Sequence, residues 1–209
     1  RGPDRPRPKK LPIKDPNEPR RALSNTGGSI RTHGDPQYAP LFGEALSRTA
    51  TEPPDILTHG FHAWPARMHH AIPGTIFAEL GVQGARVLDP CAGGGTVLVE
   101  AMRHGARGIG IDLNPLSPIV VSTKCALRDG PEQQAFLAAA EQVVMGSLER
   151  VQTRTPIVAN LPREMVSLYA PHVLKELAGL LEEIRLVESE RDARALAAVF
   201  SSLVVKLSN

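Results

Sequence analysis

Cysteine, membrane-spanning runs and export signals are features that this sequence has little of or lacks. Its 209 residues include two cysteines, Cys91 and Cys125, whose separation fits neither a CxxC metal site nor a disulfide framework, so both are predicted to be reduced thiols. No apolar run reaches the length of a membrane span, and no signal-peptide pattern opens the sequence. With a formal net charge of +2, the chain is predicted to be a cytoplasmic protein of about one domain plus appendages.

Residues 85–115 carry the strongest pattern in the chain. A short apolar run ends at an acid, Asp89, and three glycines follow at positions 93–95 before a helical pattern begins. After that helix, a second apolar run ends at another acid, Asp112. This order of strand, glycine turn, helix and strand predicts half of a nucleotide-binding α/β fold. The predicted boundaries are a strand through Val87 and Leu88, a helix from Thr96 that stops at Gly105, and a strand over residues 108–111.

The two acids favour one class of ligand over another. Asp112, at the end of the second strand, suits a ribose, because a carboxylate accepts hydrogen bonds from both hydroxyls of a vicinal diol. NAD and S-adenosylmethionine (SAM) both carry that diol. The NAD pattern calls for a third glycine where this chain has Leu98, and Asp89 would lie beside a pyrophosphate. SAM instead brings an ammonium group for Asp89 and a carboxylate for the backbone amides of residues 93–95.

The segments D-P-C-A-G-G-G-T (89–96) and G-I-D-L-N-P (110–115) resemble two motifs of the SAM-dependent methyltransferases that act on exocyclic amino groups of bases. That family includes the N4-cytosine and N6-adenine DNA methylases and the related tRNA guanine-N2 methylases. The chain departs from the usual D-P-x-C-G-S-G-T at Cys91-Ala92 and at Gly94. The resemblance implies a Rossmann-like class I methyltransferase fold, SAM as cofactor and a nucleic-acid substrate.

A second stretch, residues 58–70, extends the resemblance, which covers residues 56–125 in all. In the same family a segment of the form F-x-x-Y-P-A-R/K precedes the glycine turn and closes one side of the SAM pocket. Phe61, Trp64 and Arg67 match it here, with tryptophan in place of the usual tyrosine. The resemblance implies that the aromatic rings cover the cofactor and that Arg67 pairs with a carboxylate.

This stretch also holds four histidines, His59, His62, His69 and His70, which raises the question of a zinc site. No cysteine or acid lies near them at a ligand spacing, and paired histidines at the start of a helix commonly face water. The sequence therefore predicts no metal site and four histidines without a metal-binding role.

Asn114 follows the ribose acid and leaves two interpretations open: contact with the adenine edge, or capping of the next helix. With it, the predicted cofactor-binding residues are complete. They are Phe61, Trp64, Arg67, Asp89, Cys91, Gly93, Gly94, Gly95, Thr96, Asp112 and Asn114.

Three segments divide the chain. Residues 1–30 form a basic, proline-rich arm that is expected to be extended or disordered, and either contacts nucleic-acid phosphates or is a solvated tail. Residues 31–128 form the SAM-binding α/β half, and residues 129–209 a helical subdomain with no internal repeat. Helices are predicted near 41–47 and over 71–80, 114–127, 131–151, 171–190 and 191–207.

The acceptor motif of the family, [D/N/S]-P-P-[Y/F/W], is missing. E-P-P-D at 52–55 lacks the aromatic residue, and Asn160 begins only a weak version of the motif. Two predicted strands are also too few for a doubly wound sheet with buried faces. The sequence therefore predicts an incomplete domain whose catalytic half lies downstream, on another chain, or in residues outside this sequence, and Arg1 in place of methionine predicts a missing start.

The leading hypothesis is a SAM-dependent methyltransferase that modifies an exocyclic amino group of a DNA base. One alternative is a tRNA or rRNA base methyltransferase, because the motifs are shared. Another is a non-catalytic subunit that binds SAM or nucleic acid, and an NAD-binding domain ranks last because of Asp89.

Overall fold

The computed structural model describes residues 29–154 and 168–207. The basic arm, apart from its last two residues, and Asn160 lie outside the described residues, so the predictions made for them remain predictions. The elements in chain order are α1 (Ala39–Arg48), α2 (Ala71–Leu80), β1 (Arg86–Asp89), α3 (Thr96–Arg103), β2 (Arg107–Gly110), α4 (Leu116–Lys124), α5 (Gly130–Gln152), α6 (Pro171–Arg185) and α7 (Glu190–Leu207).

The strands β1 and β2 pair in parallel, with Asp89 opposite Gly110 in the register. One face of this pair is covered by α3, whose Leu98 packs so closely that a Cβ atom at Gly110 would lie 2.5 Å from its Cδ1 atom. On the other face Leu88 and Ile109 are register partners, and 59% and 50% of their surfaces are exposed. The carboxyl ends of both strands, with the glycine turn between them, therefore meet at one edge of the sheet.

The predicted secondary structure of the α/β half is largely confirmed. The first strand ends at Asp89, α3 begins at Thr96, and α2 has the predicted bounds. The second strand begins and ends one residue earlier than predicted, at Arg107–Gly110. Ile111 lies just beyond its end, although the Ile111 N–H still donates to the Asp89 carbonyl oxygen at 2.9 Å. The helix predicted over 114–127 is shorter and spans Leu116–Lys124, because Pro115 is its N-cap residue and Cys125 its C-cap residue.

Three helices follow, as predicted. The α5 helix begins at a capping box in which the Asp129 side chain accepts from the Glu132 N–H and the Glu132 side chain accepts in return. Helix α6 ends at Arg185, five residues before the predicted end at 190. Val143, Ile184 and Leu196, one from each helix, form the buried centre of this helical region.

The helical region packs against the α/β half through α4 and α7. Arg128 Nη1 donates to Asp192 Oδ1 at 2.5 Å, and its guanidinium lies 4.5 Å from the centre of the Phe136 ring. On the same side, Ser202 Oγ donates to the Phe61 carbonyl oxygen at 3.3 Å. Among the helices of residues 29–154 and 168–207, none is long and apolar enough to cross a bilayer. The Rossmann-like fold and the domain boundaries remain predictions.

Candidate cofactor-binding site

The glycine turn between β1 and α3 is built from residues that adopt left-handed backbone torsions. Gly93 has a φ of 48° and Gly95 a φ of 79°, values that side-chain-bearing residues adopt at a cost. The Gly95 N–H donates to the Ala92 carbonyl oxygen at 2.7 Å, which closes the turn before the first residue of α3. The sequence therefore places glycine where the backbone needs it.

Asp112 joins the end of the second strand to this turn. Its Oδ2 accepts from the Gly93 N–H at 2.6 Å, and its Oδ1 accepts from the Asn114 N–H at 2.8 Å. These hydrogen bonds, the one from Asn114 first, lower the pKa of the Asp112 carboxyl below its usual value. The carboxylate is thus held in a defined orientation at the sheet edge while part of its surface stays exposed.

Asp89 occupies the end of the first strand. Its Oδ1 accepts from the N–H of Cys91 at 3.1 Å, and Cys91 itself is an exposed free thiol. A cavity of about 320 Å³ between α3, β2 and α4 includes Asp112 in its lining, whereas Asp89 does not line it. The two acids therefore share one sheet edge without facing this cavity together. The rest of the lining is mainly apolar and small: Ala92, Leu98, Met102, Ala106, Gly108, Gly110, Ser117, Pro118, Val121, Ser122 and Cys125.

The three glycines are approached by side chains of the protein itself. A Cβ atom at Gly93 would lie 2.9 Å from Trp64 Nε1, and one at Gly94 would lie 3.0 Å from the Trp64 Cβ atom. At Gly95, a Cβ atom would lie 2.8 Å from Val121 Cγ2. Both distances below 3.0 Å are closer than side chains tolerate. Packing of Trp64 and Val121 against the turn therefore requires glycine at positions 93 and 95, independently of any ligand.

Two residues predicted to line the pocket are held by protein partners. The guanidinium of Arg67 forms an ion pair with Asp55 at 2.6 Å and donates to the carbonyl oxygens of His59 and Pro54. The carboxylate that Arg67 pairs with is thus one of the chain's own. Thr96 Oγ1 donates to the Met68 carbonyl oxygen at 3.4 Å and is buried.

Asn114 acts at the start of α4. Its Oδ1 accepts from the N–H of Leu116, the first residue of the helix, at 3.0 Å. The N-cap position itself is occupied by Pro115, without a side-chain capping bond, and contact of Asn114 with adenine stays a prediction. Two further contacts connect α4 to the turn, because Ser117 Oγ donates to the Gly93 carbonyl oxygen at 2.7 Å and Lys124 Nζ donates to the Gly94 carbonyl oxygen at 2.7 Å.

The expectation that the paired histidines face water is wrong. All four histidines of the 58–70 stretch are buried, with exposed fractions between 1% and 7%. His59 Nε2 lies 2.9 Å from Oε1 of Glu100, a fully buried acid on α3, and the His59 and His70 rings stack at 5.1 Å. His70 Nε2 lies 2.7 Å from the Pro53 carbonyl oxygen. We call His59, His70 and Glu100 the histidine cluster.

Ligand-type atoms of the histidine cluster lie within 4.8 Å of one another. The Nε2 atoms of both histidines are in hydrogen-bonding contacts that need a proton on the imidazole nitrogen, because a carboxylate and a carbonyl oxygen can only accept. His59 Nδ1, by contrast, is buried and has no hydrogen-bond partner among the described residues. A metal ion that bound through either Nε2 atom would have to displace its proton. The contact between His59 and Glu100 joins the histidine stretch to α3, and the prediction that no metal binds there stays a prediction.

Electrostatics supports the contact between His59 and Glu100. Burial by itself raises the pKa of the Glu100 carboxyl, but the hydrogen bond with His59 and the charge of Arg103 act in the opposite direction, so that the net pKa lies below the usual value. The pKa of His69 is also lowered, by burial and then by the neighbouring His70. Glu100 is thus an ionised acid inside the protein, held by its partners.

Glu100, Ser117 and Lys124 are not among the site residues that the sequence predicts. A signal existed for Glu100, which interrupts the apolar face of α3 between Val99 and Ala101, and charged residues on such a face are rarely buried unless paired. For the other two the pattern contained no signal, because the partners of Ser117 and Lys124 are backbone carbonyl groups whose positions depend on the folded turn.

Comparison with curated proteins finds similarity over part of the chain. The chain is 39% identical over 72 residues to the Type II methyltransferase M.MvaI of Kocuria varians, and the match covers 32% of this chain and 16% of that protein. No protein-family model matches the chain, and no solved structure matches it. Over the matched residues the chain is therefore similar to a methyltransferase.

Proposed function

We propose that this chain is the SAM-binding part of a SAM-dependent methyltransferase that modifies an exocyclic amino group of a DNA base. The observation that carries the proposal is the hydrogen bond between the Gly93 N–H and Asp112 Oδ2 at 2.6 Å. It couples a glycine turn at one strand end to an acid at the next, which is where ligands of parallel α/β sheets bind. The similarity to a Type II methyltransferase supports the same assignment.

The chemistry of the donor set suits SAM. The Asp112 carboxylate accepts from the backbone N–H groups of Gly93 and Asn114, and the N–H of Leu113 also acts on it. Its exposed surface leaves acceptor capacity for the vicinal ribose hydroxyls. Asp89 would hold the ammonium group, and amides at the start of α3 would hold the carboxylate. When bound, SAM supplies the methyl group, while the residues of this chain orient it for in-line attack.

The acceptor groups would come from outside the described residues. The open face of the β1–β2 pair leaves Leu88, Ile109 and Ile111 exposed at 50–59%, although parallel sheets are covered on both faces. A catalytic half that adds strands to this sheet would cover these side chains and bring the acceptor motif to the same edge. The basic arm would contact nucleic-acid phosphates.

Calorimetry tests cofactor binding directly. The chain should bind SAM and not NAD, and Asp112→Ala should abolish SAM binding because the ribose loses its acceptor. Glu79→Ala, which removes a carboxylate from an exposed position on α2, should bind as the wild type does. Binding of NAD without SAM would contradict the proposal.

Tritiated SAM tests the transfer step and separates the alternatives. Because the acceptor groups are proposed to lie outside the described residues, the assay combines this chain with the segment or partner that supplies them. Unmethylated DNA, tRNA and rRNA are offered in parallel, and label on amino groups of DNA bases is the expected result. Label on RNA would favour the RNA methyltransferase. SAM binding with no transfer to either nucleic acid would favour a non-catalytic subunit.

A further inference from the structure

Lys124 is a buried lysine that reaches the glycine turn from the end of α4. Its exposed fraction is 3%, and Nζ donates to the Gly94 carbonyl oxygen at 2.7 Å and to the His59 carbonyl oxygen at 3.4 Å. Lysine is almost never buried without partners, because taking an ammonium group out of water is costly. The two carbonyl groups are the partners that offset this cost.

Three parts of the chain meet at this lysine. Thr58 Oγ1 donates to the Lys124 carbonyl oxygen at 3.3 Å, so the histidine stretch is attached to both the backbone and the side chain of the same residue. Arg67 donates to the same His59 carbonyl oxygen that Lys124 contacts. The histidine cluster then connects the His59 ring to α3.

The contact with Gly94 orients the peptide groups of the turn. Ser117 and Lys124, both on α4, hold the carbonyl oxygens of Gly93 and Gly94. In a trans peptide the C=O and the following N–H point in opposite directions. Fixing the Gly94 carbonyl towards Lys124 therefore turns the Gly95 N–H the other way, where it donates to the Ala92 carbonyl oxygen at 2.7 Å. The Gly93 N–H that holds Asp112 belongs to the same peptide group as this Ala92 carbonyl, at the other end of the same closed turn.

We propose that Lys124 is a positioning residue for cofactor binding, which holds the glycine turn so that its amides and Asp112 keep the geometry that SAM needs. The inference rests on the proposed function. Lys124 does not contact the cofactor in this proposal; it acts through the Gly94 carbonyl group.

The charge of Lys124 can be changed within an accessible pH range. Burial lowers the pKa of Lys124 to about 8, the charge of Arg67 lowers it as well, and Cys125 and Asp55 act in the opposite direction. Above pH 8 the ammonium becomes an amine, which is a weaker donor than a charged group. The Cys125 thiol stays neutral there, because burial raises its pKa.

The test measures the SAM dissociation constant at pH 7 and pH 9 for the wild type and for Lys124→Met. At pH 7 the variant should bind about tenfold more weakly, the loss expected for one charge-assisted hydrogen bond. At pH 9 the difference should shrink, because the wild type has lost its charge too. The α-amino group of SAM also titrates near pH 8, but it contributes equally to both proteins, so only their difference is compared.

Two further variants complete the design. Lys175→Met removes an exposed lysine on α6 and should follow the wild type at both pH values. Lys124→Arg keeps its charge at pH 9. Between pH 7 and pH 9 its affinity for SAM should therefore fall only by the factor that titration of the SAM amino group causes in every variant. If Lys124→Met does not fold, this arginine variant carries the comparison.

The outcomes separate the two proposals. A wild type that does not bind SAM contradicts the proposed function. If the wild type binds SAM and Lys124→Met binds it equally well, the role of Lys124 is contradicted. The same holds if the variant binds SAM more weakly by the same factor at pH 7 and at pH 9. Hydrogen exchange gives a readout without ligand: the amides of residues 91–96 should exchange faster in Lys124→Met than in Lys175→Met, and equal protection would also contradict it.

Discussion

Two carboxylates of the α/β half, Glu100 and Asp112, are both held in their ionised forms but in opposite settings. Glu100 is fully buried on α3, with His59 and Arg103 as charged or polar side-chain partners. Asp112 lies at the sheet edge with part of its surface exposed, and its partners are backbone N–H groups. The pKa is lowered at both sites, by side chains in one and by the main chain in the other.

The difference shows what each acid is available for. Glu100 is enclosed by side-chain partners inside the protein, so we infer that its contribution is to stability. Backbone donors fix the orientation of Asp112 without covering it, which leaves acceptor capacity for a second partner. A lowered pKa alone therefore does not distinguish a structural acid from a binding acid; the nature of its donors and its exposure do.

The largest expected effect on stability is that of Glu100→Gln. Removing one partner of a buried pair leaves the other uncompensated, so the free energy of unfolding should fall by about 3–5 kcal/mol. Urea unfolding measures the change, with Glu79→Gln as an exposed control that should be unaffected. A loss no larger than that of the control would mean that Glu100 is not the structural acid of the pair.

The same acid should govern part of the pH dependence. Because the folded pKa of Glu100 is lowered from 4.5, its contribution to the free energy of unfolding is present above pH 4.5 and is lost as the pH falls through the folded pKa. Urea unfolding between pH 7 and pH 3 should show a steeper loss in the wild type than in Glu100→Gln. Parallel curves for the two proteins would contradict this assignment.

The next largest loss of stability is expected from a substitution in the glycine turn, whose Gly93 N–H is a partner of Asp112. Gly95→Ala brings a left-handed φ together with a contact at 2.8 Å from Val121. Gly81→Ala is a matched control, because Gly81 has a φ of 61° and an added Cβ atom there would meet no atom within 4 Å. In urea or thermal unfolding, Gly81→Ala should lower the free energy of unfolding by about 1–2 kcal/mol. Gly95→Ala should lower it by about 1–3 kcal/mol more than that. Equal losses would show that Val121 moves aside.

Asp112→Asn should separate binding from stability. The amide keeps one acceptor oxygen and replaces the other by a donor, so the free energy of unfolding should change less than in Glu100→Gln, while calorimetry should show weaker SAM binding. If the variant unfolds as readily as Glu100→Gln, Asp112 is a structural acid too, and the two carboxylates do not differ in role.

The smallest effect is expected at Cys91, which is exposed beside Asp89. Cys91→Ser should change the free energy of unfolding by less than about 0.5 kcal/mol. Thiol labelling in the native protein should modify Cys91 faster than the partly buried Cys125, and the serine variant should lose the fast phase. A fast phase that persists would assign it to Cys125.

Local patterns were sufficient for the elements that form the sheet edge. The change from an apolar run to Asp89, then glycine, then a helical pattern is a short-range signal, and both strands and α3 lie where that signal predicted, apart from the one-residue displacement of β2. The histidines were misjudged for a long-range reason. Their acid, Glu100, is 41 residues from His59 along the chain, so no ligand spacing in the sequence reveals it.

By itself, the sequence determined the order of strand, glycine turn, helix and strand, the helical character of the second half, and the placing of an acid after each strand, because these depend on torsions and periodicities of neighbouring residues. Only the tertiary structure decided that Trp64 and Val121 pack against the glycines, that Glu100 pairs with His59, and that Lys124 contacts the turn. Those contacts join segments far apart in the chain, and their energies depend on burial, which arises only when the segments pack together.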